Sequence, residues 1–194
     1  MSDIYHSSNI SVVVDNNILV DLFELGCIDL LFSVFEFVTI PKVIYDDEIP
    51  QEIKDILNNY DFQLGNLNTL VGLETYATLV NEADYKRLSR YDRFAIAIAK
   101  ENAYYCNSND KPVRKACMKL GVKCTGILGV LGRAYVKNTI TRNQLIAFLD
   151  DLVSDNTSCF IDTRLVEEFK QAIEMIKSGG GNKYEIYWFR KFKK

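Results

Sequence analysis

Three aspartates of this 194-residue chain share one local setting. Asp15 ends the β-branched run that starts at Ser11, and apolar residues at helical spacing follow it (Ile18, Leu19, Leu22, Phe23). Asp110 follows the apolar run from Ala103 to Asn107 and precedes a helical pattern from Pro112 to Leu120. Asp92 opens the alanine-rich helical stretch from Arg93 to Lys100. Taken singly, each reads as a helix cap, a place that aspartate favours. Capping does not account for the recurrence. In an open parallel sheet the carboxyl ends of the strands line one crevice, so acids far apart in sequence meet there. Carboxylates gathered in this way repel one another and raise one another's pKa. A divalent cation relieves the repulsion, and a donor set of oxygens alone points to a hard ion, Mg2+ or Mn2+. Such an ion suits phosphodiester cleavage, because it polarises a phosphoryl oxygen and activates a water without a side-chain nucleophile.

The remaining composition narrows the chemistry in the same direction. The single histidine, His6, lies in a polar leader, which disfavours histidine-based acid–base catalysis. Cys27, Cys106, Cys117, Cys124 and Cys159 are an odd set without a C-x-x-C pair. They read as buried reduced thiols and not as a disulfide framework or a zinc site. A net charge of -3 argues against coating nucleic acid by global charge and leaves room for a local basic surface. The densest apolar stretch, Ile28 to Ile40, contains Asp29 and Glu36 and does not read as a bilayer span. The N-terminus lacks the basic start and apolar core of a signal peptide. The expected location is the cytoplasm, with no membrane contact.

Such acids need a scaffold of alternating strands and helices. Strands are expected over 11–15, 37–40, 103–107 and 122–125. Helices are expected over 16–25 and 29–35, from Pro41 through Leu57 with a break at Pro50, over 93–100, and over 112–120. Residues 60–75 read as a strand or loop leading into a helix, and 126–176 as wholly helical. This order implies an α/β fold with a central, mainly parallel sheet, helices on both faces, and additional C-terminal helices. The chain divides into a leader (1–9), one domain (10–176), and a Gly-rich break with a basic aromatic tail (177–194).

At these residues the chain resembles a known family. Val12-Val-Val-Asp-Asn-Asn-Ile-Leu-Val20 is similar to the opening strand of PIN domains, whose pattern is Asp, then Ser or Thr, then Asn. Leu88-Ser-Arg-Tyr-Asp-Arg-Phe-Ala-Ile-Ala-Ile-Ala99 resembles their third acidic segment. Asn107-Ser-Asn-Asp-Lys-Pro-Val-Arg114 resembles the fourth, with a hydroxyl residue, Ser108, just before the acid. Leu120-Gly-Val-Lys-Cys-Thr-Gly-Ile-Leu-Gly-Val-Leu131 resembles a stretch of the bacterial and archaeal PIN proteins grouped with VapC-type toxins. The resemblance covers roughly residues 10–173. It implies a PIN-like three-layer α/β/α fold and a Mg2+- or Mn2+-dependent endoribonuclease with Asp15, Asp92 and Asp110 as catalytic acids. For the toxin subgroup it also implies a protein antitoxin as partner.

Two departures from the family pattern bear on the metal set. Asn16 stands at the Ser or Thr position, where an amide can still hydrogen-bond to a metal-bound water. The family's second acid lies on the helix after Pro41, and here that region reads Pro41-Lys-Val-Ile-Tyr-Asp-Asp-Glu-Ile49. Counting from Pro41 favours Asp47, whereas the acid-then-aliphatic pair favours Glu48. The implied metal set is therefore Asp15, Asp92, Asp110 and one of Asp47 or Glu48, supported by Asn16, Asn17 and Ser108. Asn17 also separates the chain from haloacid-dehalogenase-like phosphatases, which usually have a second Asp at that place, and receiver domains usually carry paired acids at the first strand.

Arg93, Lys111, Arg114 and Lys115 flank the third and fourth segments and could meet an RNA backbone, or could be ordinary solvated helix faces. Of these, Arg93, Lys111 and Arg114 are the candidate substrate contacts. The tail alternates aromatics with lysines and reads as a docking or partner-binding segment, with RNA binding as the other reading. The apolar stripes of the C-terminal helices suit core, a homodimer face or a groove for a protein inhibitor. The alternative to an enzyme is a non-catalytic PIN-like module that binds RNA or protein.

Overall fold

The computed structural model describes residues 10–155, 157–159 and 161–177, so the leader with His6 and the tail from 178 lie outside the described residues. Five short strands, Val12–Val14 (β1), Val38–Pro41 (β2), Gln63–Gly65 (β3), Tyr105–Asn107 (β4) and Cys124–Thr125 (β5), form one sheet. Its order is β3-β2-β1-β4-β5, and every neighbouring pair is parallel. The helices are Asn16–Glu24 (α1), Asp29–Val34 (α2), Lys42–Asp47 (α3), Gln51–Leu57 (α4), Leu70–Asn81 (α5), Arg90–Glu101 (α6), Lys111–Leu120 (α7), Ile127–Val136 (α8), Arg142–Asp151 (α9) and Thr163–Lys177 (α10).

The run of three valines in β1 is buried throughout because β1 is the central strand and helices cover both faces. From β1 the chain runs through α1 and α2 to β2 and through α3 and α4 to the edge strand β3, then returns across the sheet through α5 and α6 to β4 on the far side of β1. Accordingly α6 packs across β1, β2 and β4, while α8 packs on α1, α2 and β5. Ala95, Ile96, Ala97, Ile98 and Ala99 are all buried. Small residues there let α6 lie close against the sheet. Among the described residues no helix is long and apolar enough to cross a membrane.

Reversal of direction at β1 makes the gap between β1 and β4 the switch point of the sheet. The register there is direct: Val14 pairs with Asn107, and the Asp15 amide donates to the Asn107 carbonyl (3.1 Å). Asp15 and Ser108 are thus the first residues beyond the two strand ends. Helix α6 leads into β4, so its first turn, with Asp92, lies over the same edge of the sheet.

Two expectations are corrected. Residues 126–176 are not wholly helical, since no helix spans the described residues between Asp151 and Thr163. The Ser154 and Thr157 hydroxyls donate to the Asp151 carbonyl, local bonds that compete with a helical ladder. Nor is Asp92 the cap of its helix. Ser89 is the N-cap and Asp92 is the third helical residue of a capping box: its carboxylate accepts from the Ser89 amide (2.7 Å), and the Asp92 amide donates to the Ser89 hydroxyl (3.0 Å).

Helix α8 can approach β5 because Gly129 has no side chain; a Cβ there would collide with the buried Thr125 hydroxyl. Alanine gains about 1 kcal/mol over glycine inside a helix. Overpacking against a buried neighbour costs about 1–3 kcal/mol. Gly129→Ala is therefore expected to lower stability in urea denaturation, and adding Thr125→Ala to recover part of the loss. A Gly129→Ala chain as stable as wild type would mean that α8 shifts freely on β5.

Candidate functional site

Asp15 is the N-cap of α1 and is 4 % exposed. One carboxylate oxygen accepts the Asn16 amide (2.9 Å) and the other accepts the Ser108 hydroxyl (2.9 Å). The same Ser108 oxygen accepts the Asp110 amide (3.2 Å). One buried hydroxyl thus links the acid after β1 to the acid after β4. Asp110 occupies the N-cap position of α7, yet its carboxylate makes no capping hydrogen bond. The capping explanation therefore holds for Asp15 and is weaker for Asp110, whose half-buried carboxylate has the Lys111 amide near it without a well-formed cap.

Electrostatics ties four acids into one group. Burial, then the charge of Asp92 and more weakly that of Glu48, push Asp15 up from 3.8 to about 7, against the Ser108 and Asn16 hydrogen bonds. Glu48 is raised by burial, then by Asp92 and Asp47. Asp110 is raised by burial and then by Asp92, with the Lys111 amide opposing. Asp92 is thus the common neighbour of Asp15, Glu48 and Asp110. Of the two candidates after β2, Glu48 is the one within electrostatic reach of Asp15 and Asp92. The Asp47 carboxylate instead receives the Tyr91 hydroxyl (3.4 Å) and pairs with Arg90 (3.8 Å).

The other expected residues take varied places. Asn16 is half-buried, with its side-chain oxygen buried and unpartnered, and Asn17 is exposed. Arg93 is half-buried with an unpartnered Nε, and Lys111 is exposed beside Asp110. Arg114 donates to the Ser108 carbonyl (3.5 Å), so it braces the loop that carries the acids. Lys115 is exposed.

Sequence reading missed a second layer behind the acids. Asn109 donates to the buried carboxylate of Asp21 (2.8 Å) and accepts the amide of Ile127 at the start of α8 (3.0 Å). It thereby fixes the β4–α7 loop to α1 and α8. Gly126 makes room for this, since a Cβ there would lie 2.5 Å from the Asn109 oxygen. Burial pushes Asp21 up to about 6, with the charge of Glu24 adding to it and hydrogen bonds from Cys159 and Asn109 opposing. Asn107 is fully buried with neither amide atom partnered. Helical spacing marks Asp21 only as one more polar residue on α1, so no local signal exposes the link. The cysteines are free, as expected, but Cys106, Cys117 and Cys124 meet between β4, α7 and β5, with Cys117 in hydrogen-bonding contact with the other two thiols.

The donor set is oxygen only, burial and then the charge of Asp92 raise the pKa of Asp15 and Asp110, and polar atoms of Asn16 and Asn107 are buried beside it without partners. These features fit a hard divalent ion. Among the described residues no three His, Cys, Asp or Glu side chains are so grouped as to hold an ion by themselves.

A pH dependence follows from Asp15. Its carboxyl has a pKa of 3.8 in the unfolded chain and about 7 in the folded, metal-free protein. Between those values the folded state holds a proton that the unfolded state has lost, so stability falls as pH rises from about 4 to about 7 and is level above. Glu48 and Asp110 add to the slope in the same direction. Asp15→Asn cannot ionise, so its urea midpoint is expected to decline less over this range than that of wild type. Superimposable pH profiles would show that Asp15 ionises like a solvated acid.

The sequence profile of the PIN-domain family matches residues 11–175. No curated protein matches the chain significantly. A match over most of the 194 residues, on a parallel sheet with acids at its switch point, shows that the chain belongs to the PIN-domain family, a family of nuclease type.

Proposed function

We propose that the protein is an endoribonuclease that hydrolyses RNA phosphodiester bonds with the help of Mg2+ or Mn2+. The supporting observation is the coupling of Asp15, Glu48 and Asp110 to Asp92 at the carboxyl ends of β1 and β4. Asp15, Glu48, Asp92 and Asp110 are the residues that would hold the ion. When bound, it would polarise the scissile phosphodiester and lower the pKa of a water. The Ser108 hydroxyl orients Asp15 and, by accepting the Asp110 amide, sets the spacing between the two acids. The capping box fixes one oxygen of Asp92 on the Ser89 amide and so aims the carboxylate. The exposed Lys111 stands where an RNA phosphate beside Asp110 would meet it.

Incubation of single-stranded RNA with wild type and Mn2+ or Mg2+ is expected to give cleavage. Asp15→Asn and Asp110→Asn should each reduce it on the order of 100-fold or more, since removing even an outer support of a metal ligand costs 10–100-fold. Independently of activity, Mn2+ at about ten times its Kd should raise the wild-type melting temperature by roughly 3–5 °C. Asp15→Asn should lose that shift. If wild type and variants cut equally poorly and Mn2+ shifts neither, the non-catalytic binding module is the correct reading. The toxin role has its own arm: wild type expressed in a bacterial host should arrest growth that Asp15→Asn leaves intact. Normal growth with an active enzyme would remove the toxin role and the antitoxin with it, leaving the nuclease.

A further inference from the structure

Next to the acids, the first turn of α6 builds a surface of a different kind. Arg90 and Tyr91 both reach the same oxygen of Asp47, the residue before Glu48. The Arg90 side chain is 61 % exposed and that of Asp47 43 %. At 3.8 Å their pair is longer than a well-formed charge-assisted hydrogen bond, and exposed pairs of this kind are held weakly. Behind them the Arg90 guanidinium lies 5.8 Å over the Phe94 ring, and Phe94 meets Tyr76 of α5 with ring centres 4.7 Å apart. One cation, Arg90, therefore sits among the rings of Tyr91, Phe94 and Tyr76, next to Asp92 and the segment that carries Glu48. Single-stranded nucleic acid is bound by that combination, with cations on phosphates and aromatic faces on bases.

We propose that Arg90 and Tyr91 form a ledge for the RNA strand where it leaves the acid cluster. Arg90 releases Asp47 and takes the phosphate next to the scissile one, while the ring of Tyr91 stacks on the adjoining base. A phosphate accepts two N–H bonds from a guanidinium fork, which the single long contact to Asp47 does not match. Asp47 then serves as the resting place of Arg90 in the RNA-free protein. This inference rests on the ribonuclease reading.

The test uses Arg90→Gln, Tyr91→Ala and Tyr91→Phe in the full chain, each with a melting curve to confirm folding. Binding of a labelled single-stranded oligoribonucleotide is measured by fluorescence anisotropy over a range of salt, in an Asp110→Asn background that prevents cleavage. Cleavage is measured in the active chain. Arg90→Gln is expected to weaken binding and to flatten the slope of log K against log salt by about 0.7, the loss of one phosphate contact. Tyr91→Ala is expected to raise Kd and KM about ten-fold with little change in kcat, the effect of losing one stacked base. Tyr91→Phe should stay within about two-fold, because stacking needs the ring and not the hydroxyl. If wild type cuts RNA while Arg90→Gln and Tyr91→Ala bind and cut as it does, the ledge is wrong and the nuclease stands. A Tyr91→Phe loss as large as that of Tyr91→Ala overturns stacking, since the hydroxyl bond to Asp47 would then be what matters. Wild type that neither binds nor cuts RNA overturns both readings.

Discussion

A carboxylate taken out of water either finds compensation or keeps its proton, and Asp15 is taken out of water beside other carboxylates. The fold concentrates this unfavourable charge at one edge of the sheet and then opposes it. Parallel strands direct all their carboxyl ends to the same side, which brings Asp15 and Asp110 together. Helices α1 and α7 begin there as well, and α6 brings its first turn over the same edge, so their partially positive N-termini face the acids. The Asn16 amide and the Ser108 hydroxyl add two directed hydrogen bonds to Asp15. Even so the balance leaves the Asp15 carboxyl pushed up to about 7, a cost of ionisation that a divalent ion would offset.

Holding like charges together requires that the segments bearing them cannot drift apart. Backbone pairing does this on one axis, from the Asp15 amide to the Asn107 carbonyl and from the Ser108 amide to the Thr125 carbonyl. Side chains do it on another. Asn109 spans from Asp21 to the start of α8, and Glu24 on the same helix accepts both the amide and the hydroxyl of Ser158. The helices after β5 are thus joined by polar links to the helix that carries Asp15 and are not an independent appendage. Arg133 extends the same logic inward: fully buried, it donates to the Val34 carbonyl at the end of α2 (2.5 Å) and sits over the Phe35 ring.

The rim of the acid cluster is set by a difference of one residue. Asp47 ends α3 and Glu48 is the residue that caps it, so about 100° of helical rotation separates their side chains. Glu48 is directed towards Asp92, whereas Asp47 meets Arg90 and Tyr91. The boundary between an anionic pocket and an aromatic, cationic surface therefore falls between two adjacent acids.

Local pattern was enough to read the sheet-and-helix order, and it marked Asp15, Asp92 and Asp110 as candidates because each stands where a β-branched or apolar run meets a helical one or where a helical run opens. Pro41, Gly26 and Gly121 act on their own neighbours, so the helix boundaries they mark were legible too; Gly26 and Gly121 adopt φ of +64° and +67°. The capping box of α6 is a local signal, Ser89 and Asp92 within one turn, but Asp92 is itself a favoured cap residue, so the sequence alone allows the helix to start at either. The choice between Asp47 and Glu48 was open in principle, since a sequence does not say where the last turn of a six-residue helix stops rotating. The Ser108 bridge, the Asn109 link and the Arg90–Tyr91 contact with Asp47 join residues 93, 88 and more than 40 positions apart. Short-range periodicity carries information over a turn or two of helix. Which distant polar groups satisfy one another is decided only when the sheet's register and the helices' packing bring them within hydrogen-bonding distance.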